Sequence, residues 1–238
     1  MYFRMGLLHR SSGMSREDFS RYWQYVHGPL AKSSLSGLRS YVQNHIMSRV
    51  PTDTVAGPAQ RDHALAGIDG ISKLGFDSAA AMAAAFAHGL TPVAADETHF
   101  LGHMNLFTGE DRIQIAPPLN QQGMLKRVSL LRRHAHHSPA SFAQEWHGIH
   151  ADLIRRMPGC RGYVQNRIEE RFAERGQIAS YEELPYDGIA ELFYDDEASM
   201  RQAYQSEARG PLRDHARTLL GDIVTFVVRV VDVGTSGS

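Results

Sequence analysis

The chain carries nearly the same sequence twice, and this constrains its fold more than any other feature. Phe19, Trp23 and His27 recur as Phe142, Trp146 and His150, each displaced by 123 positions. Tyr41-Val-Gln-Asn-His-Ile46 recurs as Tyr163-Val-Gln-Asn-Arg-Ile168, displaced by 122, with five of six residues the same. Further on, Asp69-Gly70-Ile71 matches Asp187-Gly188-Ile189 and Met82 matches Met200, both displaced by 118. Solenoid repeats have periods of roughly 20–50 residues. A unit of about 110 residues is instead the size of a domain. Chemistry is therefore expected in two homologous places, with the differences between halves showing which one works.

At 238 residues and 42 % hydrophobic, each half is long enough to bury a core. A net charge of −1 leaves no electrostatic footprint for nucleic acid. No apolar run approaches the ~20 residues that span a bilayer. The N-terminus starts directly in a strand-like pattern, without a signal-peptide layout. The single cysteine, Cys160, excludes an internal disulfide and suits a reducing compartment, so a cytoplasmic protein is expected. Cys160 has Leu38 as its counterpart and reads as an inert thiol.

Each half reads strand–helix–strand–strand–helix–strand. Tyr2–His9 is strand-like, and Ser15 offers an N-cap to a helix over 16–33. Leu38–Ser48 is a second strand, 49–66 a loop around Pro51, Gly57 and Pro58, and Ile68–Phe76 a third strand. Ser78–Ala87 is a second helix and His99–Phe107 a fourth strand. The second half repeats the order as Met124–Arg133, a helix opening at Ser138-Pro139, Gly162–Arg171, Gly188–Tyr194, a helix near Glu197–Ser206, and Asp222–Val233. The expected fold is α+β, with ferredoxin-like βαββαβ domains over 1–108 and 123–233, a linker over 109–122 and an appended tail over 234–238. A lone ferredoxin-like sheet leaves one apolar face bare. Two copies in one chain cover it by packing sheet against sheet, making the chain its own pseudo-dimer. Further pairing of chains is open.

His27 and His150 are the candidate catalytic residues. Phe, Trp and His at i, i+4 and i+8 lie within roughly 80° on a helix, so the histidine points toward the sheet beside an indole. An apolar pocket disfavours the imidazolium and suits a neutral base. A core-edge histidine donating one hydrogen bond is the structural alternative. Strand alternation puts Tyr41, Gln43 and His45 on one face and Val42, Asn44 and Ile46 on the other. Asn44 and Asn166 are candidates to orient a substrate oxygen or to tie down a loop. Tyr41 and Tyr163 are candidates to donate to an oxyanion or to pack the sheet. Trp23 and Trp146 would form an apolar wall.

The histidines at 134, 136 and 137 read as a solvated turn. His99 and His103 read as facing one side of the fourth strand, with Thr218 and Asp222 as counterparts. His215 replaces Asp96 at an offset of 119, which suggests that the two pockets have diverged. No zinc-site spacing, Gly-rich dinucleotide motif, P-loop or nucleophile elbow is present, so no metal or cofactor is expected.

The run Ser15-Arg-Glu-Asp-Phe-Ser-Arg-Tyr-Trp-Gln-Tyr-Val-His-Gly-Pro-Leu30, followed by Gly37-Leu-Arg-Ser-Tyr-Val-Gln-Asn44, resembles the EthD family. Its signature is a helix-borne tryptophan, His-x-Pro-Leu and a Tyr-Val-Gln-Asn strand. The first half carries it fully, whereas the second reads His150-Ala151-Asp152-Leu153. The resemblance implies a dimeric α/β barrel with a small-molecule pocket between sheet and helices in each unit. It also implies kinship with cofactor-free isomerases, dehydratases, cyclases and monooxygenases of catabolic and polyketide pathways. The leading expectation is a cofactor-independent lyase, dehydratase or isomerase, in which histidine moves a proton on a small hydrophobic, aromatic or lactone-like substrate. The alternatives are a non-catalytic binding or accessory protein and a cofactor-free monooxygenase. The first half, with the whole signature, is expected to hold the more conventional site.

Overall fold

In the computed structural model, residues 1–51, 65 and 67–234 are described. Most of the loop expected over 49–66, and all but Gly234 of the expected tail, lie outside the described residues.

The first half runs β1 (Tyr2–Arg10), α1 (Arg16–Tyr22), a π-helical turn (Trp23–His27), α2 (Gly28–Ser34), β2 (Ser40–Val50), β3 (Gly70–Phe76), α3 (Ala79–Phe100) and β4 (Leu101–Ile115). The second runs β5 (Leu125–Arg133), α4 (Pro139–Glu145), a π-helical turn (Trp146–His150), α5 (Ala151–Arg155), β6 (Gly162–Glu174), β7 (Gln177–Ile178), β8 (Gly188–Tyr194), α6 (Glu197–Gln205), α7 (Arg209–Leu219) and β9 (Leu220–Gly234).

The strand order is β4-β1-β3-β2 in one half and β9-β5-β8-β6 in the other, the ferredoxin-like arrangement in each. The halves join edge to edge through β2–β9 and β4–β6, closing an eight-stranded antiparallel barrel with β7 appended to β6. The two sheets are thus not only stacked. Their edges are hydrogen-bonded, which removes the exposed strand edges that each half would have alone. Phe3, Met5, Ile71 and Phe107 meet Val128, Ile189, Phe226 and Val228 in one core inside the barrel.

Several boundaries differ from the sequence reading. The alanine-rich helix does not stop before Gly89 and Pro92 but continues to Phe100. Gly89 lets it cross α2 closely, since a Cβ there would sit 2.1 Å from the Ser34 carbonyl oxygen. His99 therefore lies in the last turn of α3, while His103 lies in β4 with its ring centroid 5.3 Å from that of His9. The expectation that both project from one strand face is corrected accordingly. β4 takes up the first residues of the expected linker, because pairing with β6 supplies backbone partners as far as Ile115. α7 was not anticipated. Its Arg-rich sequence still places Leu212, Ala216 and Leu219 at i, i+4 and i+7 on one face, and it buries Leu212 and Leu219.

Candidate active site

Ser15 and Ser138 cap α1 and α4, accepting hydrogen bonds from the Asp18 and Ser141 amides at 3.0 and 3.1 Å. Each helix then widens into a π turn that begins at the repeated tryptophan and ends at the repeated histidine. Such turns concentrate at functional sites. The first exposes the Trp23 carbonyl to two donors, the Gly28 amide and Gln43 Nε2 at 2.7 Å. In the second half Gln165 Nε2 donates to the Trp146 carbonyl at 2.7 Å. These glutamines also donate to the phenols of Tyr41 and Tyr163, at 3.3 and 2.8 Å. The repeated Tyr-Val-Gln strand thus clamps the turn that carries the histidine. Gln43 and Gln165 were missed as positioning residues, although their repetition on the tyrosine face was a usable signal.

The repeated Asp-Gly-Ile has an equally local cause. Asp69 accepts from the Arg10 amide at 3.1 Å and from its guanidinium, and Asp187 does the same for Arg133, with 2.8 Å to the amide. The following glycines lie under the indoles: a Cβ on Gly70 or Gly188 would come within 2.4 Å of Trp23 or Trp146. Both tryptophans are fully buried. Trp23 borders the small space in its half, but Trp146 does not border the cavity described below.

Asn44 and Asn166 point into the barrel, away from the helix-covered face. Asn44 donates to the Ile71 carbonyl at 2.8 Å, and Asn166 to the Ile189 carbonyl at 2.9 Å. The structure thus brings Tyr and His together on the helix side and leaves Asn out.

The two histidines have different partners. His27 Nδ1 lies 2.7 Å from Asp96 Oδ2, whose other oxygen accepts from the Tyr22 hydroxyl at 2.7 Å. His150 Nδ1 lies 3.2 Å from His215 Nδ1, and His215 Nε2 lies 3.7 Å from Glu145. Tyr22–Asp96–His27 and Glu145–His215–His150 occupy equivalent positions in the repeat. A proton on His215 Nε2 is favoured by the Glu145 carboxylate, which leaves His215 Nδ1 as acceptor. His150 then donates through Nδ1, and its Nε2 carries the lone pair. Burial, reinforced by His215, lowers the pKa of His150 to about 3, so it is neutral at neutral pH. Burial also raises the Tyr41 phenol to about 12 and lifts that of Tyr163 well above its ordinary value.

Open space lies beside His150, not His27. A cavity of about 320 Å³ in the second half is bordered by His150, Tyr163, Tyr204, Leu131, Leu192 and Leu212, among others. This volume is that of a small-ligand site. The matching space beside His27 is about 20 Å³, room for about one water. The half with the full signature is therefore the closed one. Its unbroken α3 drives Phe86, Val93, Glu97 and Phe100 into the space. In the second half the corresponding segment breaks between α6 and α7, and Ala216 and Leu219 stand where Glu97 and Phe100 stand in the first.

Among the described residues, no three His, Cys, Asp or Glu side chains converge as a metal site, and no helix is long and apolar enough to cross a membrane. His134, His136 and His137 cluster in the turn before α4, with neighbouring rings tilted at 41° and 45°. Burial pushes the Cys160 thiol up, away from thiolate reactivity.

The closed barrel with a helix-covered pocket places the protein among the α/β barrels. A provisionally assigned monooxygenase from Fusobacterium nucleatum is similar in structure, with 9 % identity, a TM-score of 0.63 and coverage of 100 % of this chain and 95 % of the other. An anthrone oxidase-like protein is similar with 12 % identity, a TM-score of 0.61 and the same coverage. A provisionally assigned monooxygenase from Lactobacillus acidophilus is similar with 9 % identity, a TM-score of 0.59 and coverage of 99 % and 96 %. At such identities the likeness is one of fold. No curated protein matches the sequence. The EthD domain model matches residues 11–103 and 134–219, and the chain belongs to that family.

Proposed function

We propose that the second-half cavity is the active site of an enzyme that removes a proton from a small, hydrophobic, aromatic or lactone-like carbon acid, without a bound cofactor. The observation that carries this reading is His150, held neutral on the edge of a cavity of about 320 Å³. Its Nδ1 is engaged by His215, leaving Nε2 to take the proton. Imidazole with so low a pKa is a weak base in the empty cavity. Negative charge developing on the substrate beside it favours the imidazolium and raises that pKa as the reaction proceeds. The Tyr163 hydroxyl already accepts from Gln165, so its own hydrogen is available to an oxyanion. His27, enclosed and paired with Asp96, is read as structural. The two halves are read as a duplicated, fused pair of ferredoxin-like domains that replaces a homodimer.

Two outcomes are open to a carbanion formed there: elimination or reprotonation at another atom, as in a lyase, dehydratase or isomerase, or reaction with oxygen. The second has support in the names of the three structural neighbours described above, two provisionally assigned monooxygenases and the anthrone oxidase-like protein. An anthrone, whose C–H is acidic, is a suitable probe. Deuterium uptake from solvent without oxygen consumption supports the first outcome, and oxygen consumption supports the second. Tight binding with neither would overturn the enzymatic reading in favour of a carrier of such intermediates.

A further inference from the structure

The cavity is apolar inside and cationic at its border. Leu131, Ile154, Leu192 and Leu212 provide the apolar lining, while Arg127, Arg209, Arg213 and Arg217 also border it. Among the described residues its one acidic side chain, Asp222, already accepts from the Ile223 amide at 2.9 Å. The local balance is strongly positive in a chain of net charge −1. Three of the arginines sit at i, i+4 and i+8 of α7, within roughly 80° of one another around its axis.

These arginines are only weakly neutralised. Arg213 and Arg217 share Asp214, at 3.2 and 3.9 Å. Among the described residues, the Arg209 guanidinium has no hydrogen-bond or ion-pair partner. Arg127 stacks on Tyr204, with its guanidinium carbon 3.9 Å from the ring centroid. Its counterpart Arg4 stacks likewise on Phe86 at 4.6 Å, so that stacking belongs to both halves. The α7 arginines do not. Their counterparts in the closed half are Leu90, Ala94 and Thr98. The cationic border occurs where the cavity is open and is missing where it is filled.

From this geometry we infer that the ligand of the second-half cavity is a planar hydrophobic acid. Its ring system lies among the leucines and its carboxylate meets the arginines of α7. Guanidinium groups favour this partner because their planar donor fork matches a carboxylate. The inference rests on reading the cavity as a ligand site, and the test separates the two.

The probes are 2-naphthoate and its neutral isostere 2-naphthamide, titrated calorimetrically against the full chain at low salt and at about 0.5 M salt. The wild type is expected to bind naphthoate about tenfold or more tightly than the amide, with the preference shrinking at high salt. Arg209→Gln/Arg213→Gln/Arg217→Gln is expected to erase the preference while leaving amide binding unchanged. Arg201→Gln, on α6 and paired with Glu197 away from the cavity, is expected to keep it. Equal binding of both probes by the wild type, or an undiminished preference in the triple variant, overturns the acid assignment and leaves the cavity as a ligand site. Binding of neither probe overturns both readings.

Discussion

Lys73 and Glu191 occupy equivalent positions in the two halves and meet inside the barrel, with Nζ 2.5 Å from Oε1. In a symmetric homodimer these positions would hold the same residue, and like charges would face each other. A single chain lets one position be basic and the other acidic. Lys126 approaches the second Glu191 oxygen at 2.8 Å, and Asn166 Oδ1 accepts from Lys73 at 2.7 Å. Burial alone would raise the Glu191 carboxyl, but the ammonium groups of Lys126 and Lys73 hold it far below the ordinary range. The cluster also gives Asn166 a role unrelated to ligand.

Neutralising the shared acid is expected to be costly. Glu191→Gln leaves the buried Lys126 ammonium without its counter-charge and Lys73 with Asp111 alone, at 3.4 Å, a loss of about 3–5 kcal/mol in urea unfolding. Lys73→Met should cost less, because Lys126 still neutralises Glu191 and Asp111, whose carboxyl burial already raises, can take up a proton. A Glu191→Gln variant as stable as the wild type would contradict this account of the core.

Acid should weaken the fold in a defined window. Burial, reinforced by His215, lowers His150 to about 3, and burial with Arg229 lowers His45 to about 4. Unfolded histidine titrates near 6.5, so below about pH 6.5 the unfolded chain binds protons that these folded histidines refuse. Stability is therefore full above that pH and falls on acidification by about 1.4 kcal/mol per pH unit for each, until its folded pKa is reached. Glu191, with a depressed pKa, adds its loss only below its unfolded value of about 4.3. His150→Asn should flatten the slope between pH 6 and 4 by about one proton's worth. An unchanged slope contradicts a buried neutral His150.

Packing under the tryptophans can be tested by adding one methyl group. Gly70→Ala and Gly188→Ala place a Cβ 2.4 Å from an indole and should each cost about 1–3 kcal/mol. Gly148→Ala, which meets nothing within 4 Å, is the control and should be neutral or slightly stabilising. Thermal unfolding separates these outcomes.

Filling the second cavity should mimic the first. Ala216→Phe adds bulk where the closed half has Glu97, and is expected to abolish ligand binding while leaving the melting temperature near that of the wild type. Retained binding would place the ligand elsewhere.

Much of this was legible because the repeat supplied its own comparison. The βαββαβ order and the serine caps follow from local sequence signals, the sheet-facing side of His27 and His150 from helical periodicity, and the shared face of Tyr41 and Gln43 from strand alternation. The exchange of Asp96 for His215 was visible as an aligned difference, and both residues contact the site histidine. Other features depend on tertiary contacts. The sequence reading ends the second helix at Ala87, yet close packing against α2 carries α3 through Gly89 and Pro92 to Phe100. The asparagines looked like ligand groups because alternation gives a face without saying which face is inside the barrel. Completeness of the motif favoured the first half, but pocket volume is set by bulk on the second helix, which no motif records. The arginines of α7 had no counterpart in the first half and so no repeat to draw notice to them.

The central claim is that catalysis belongs to His150 and not to His27. Asparagine retains a donor near the Nδ1 position and removes Nε2, so His150→Asn and His27→Asn are matched variants. The deciding measurement is kcat/KM for deuterium exchange into, or turnover of, a bound carbon acid. A loss of about a hundredfold or more is expected for His150→Asn and a change within about twofold for His27→Asn. Equal activity in both variants, or a loss confined to His27→Asn, would contradict the central claim.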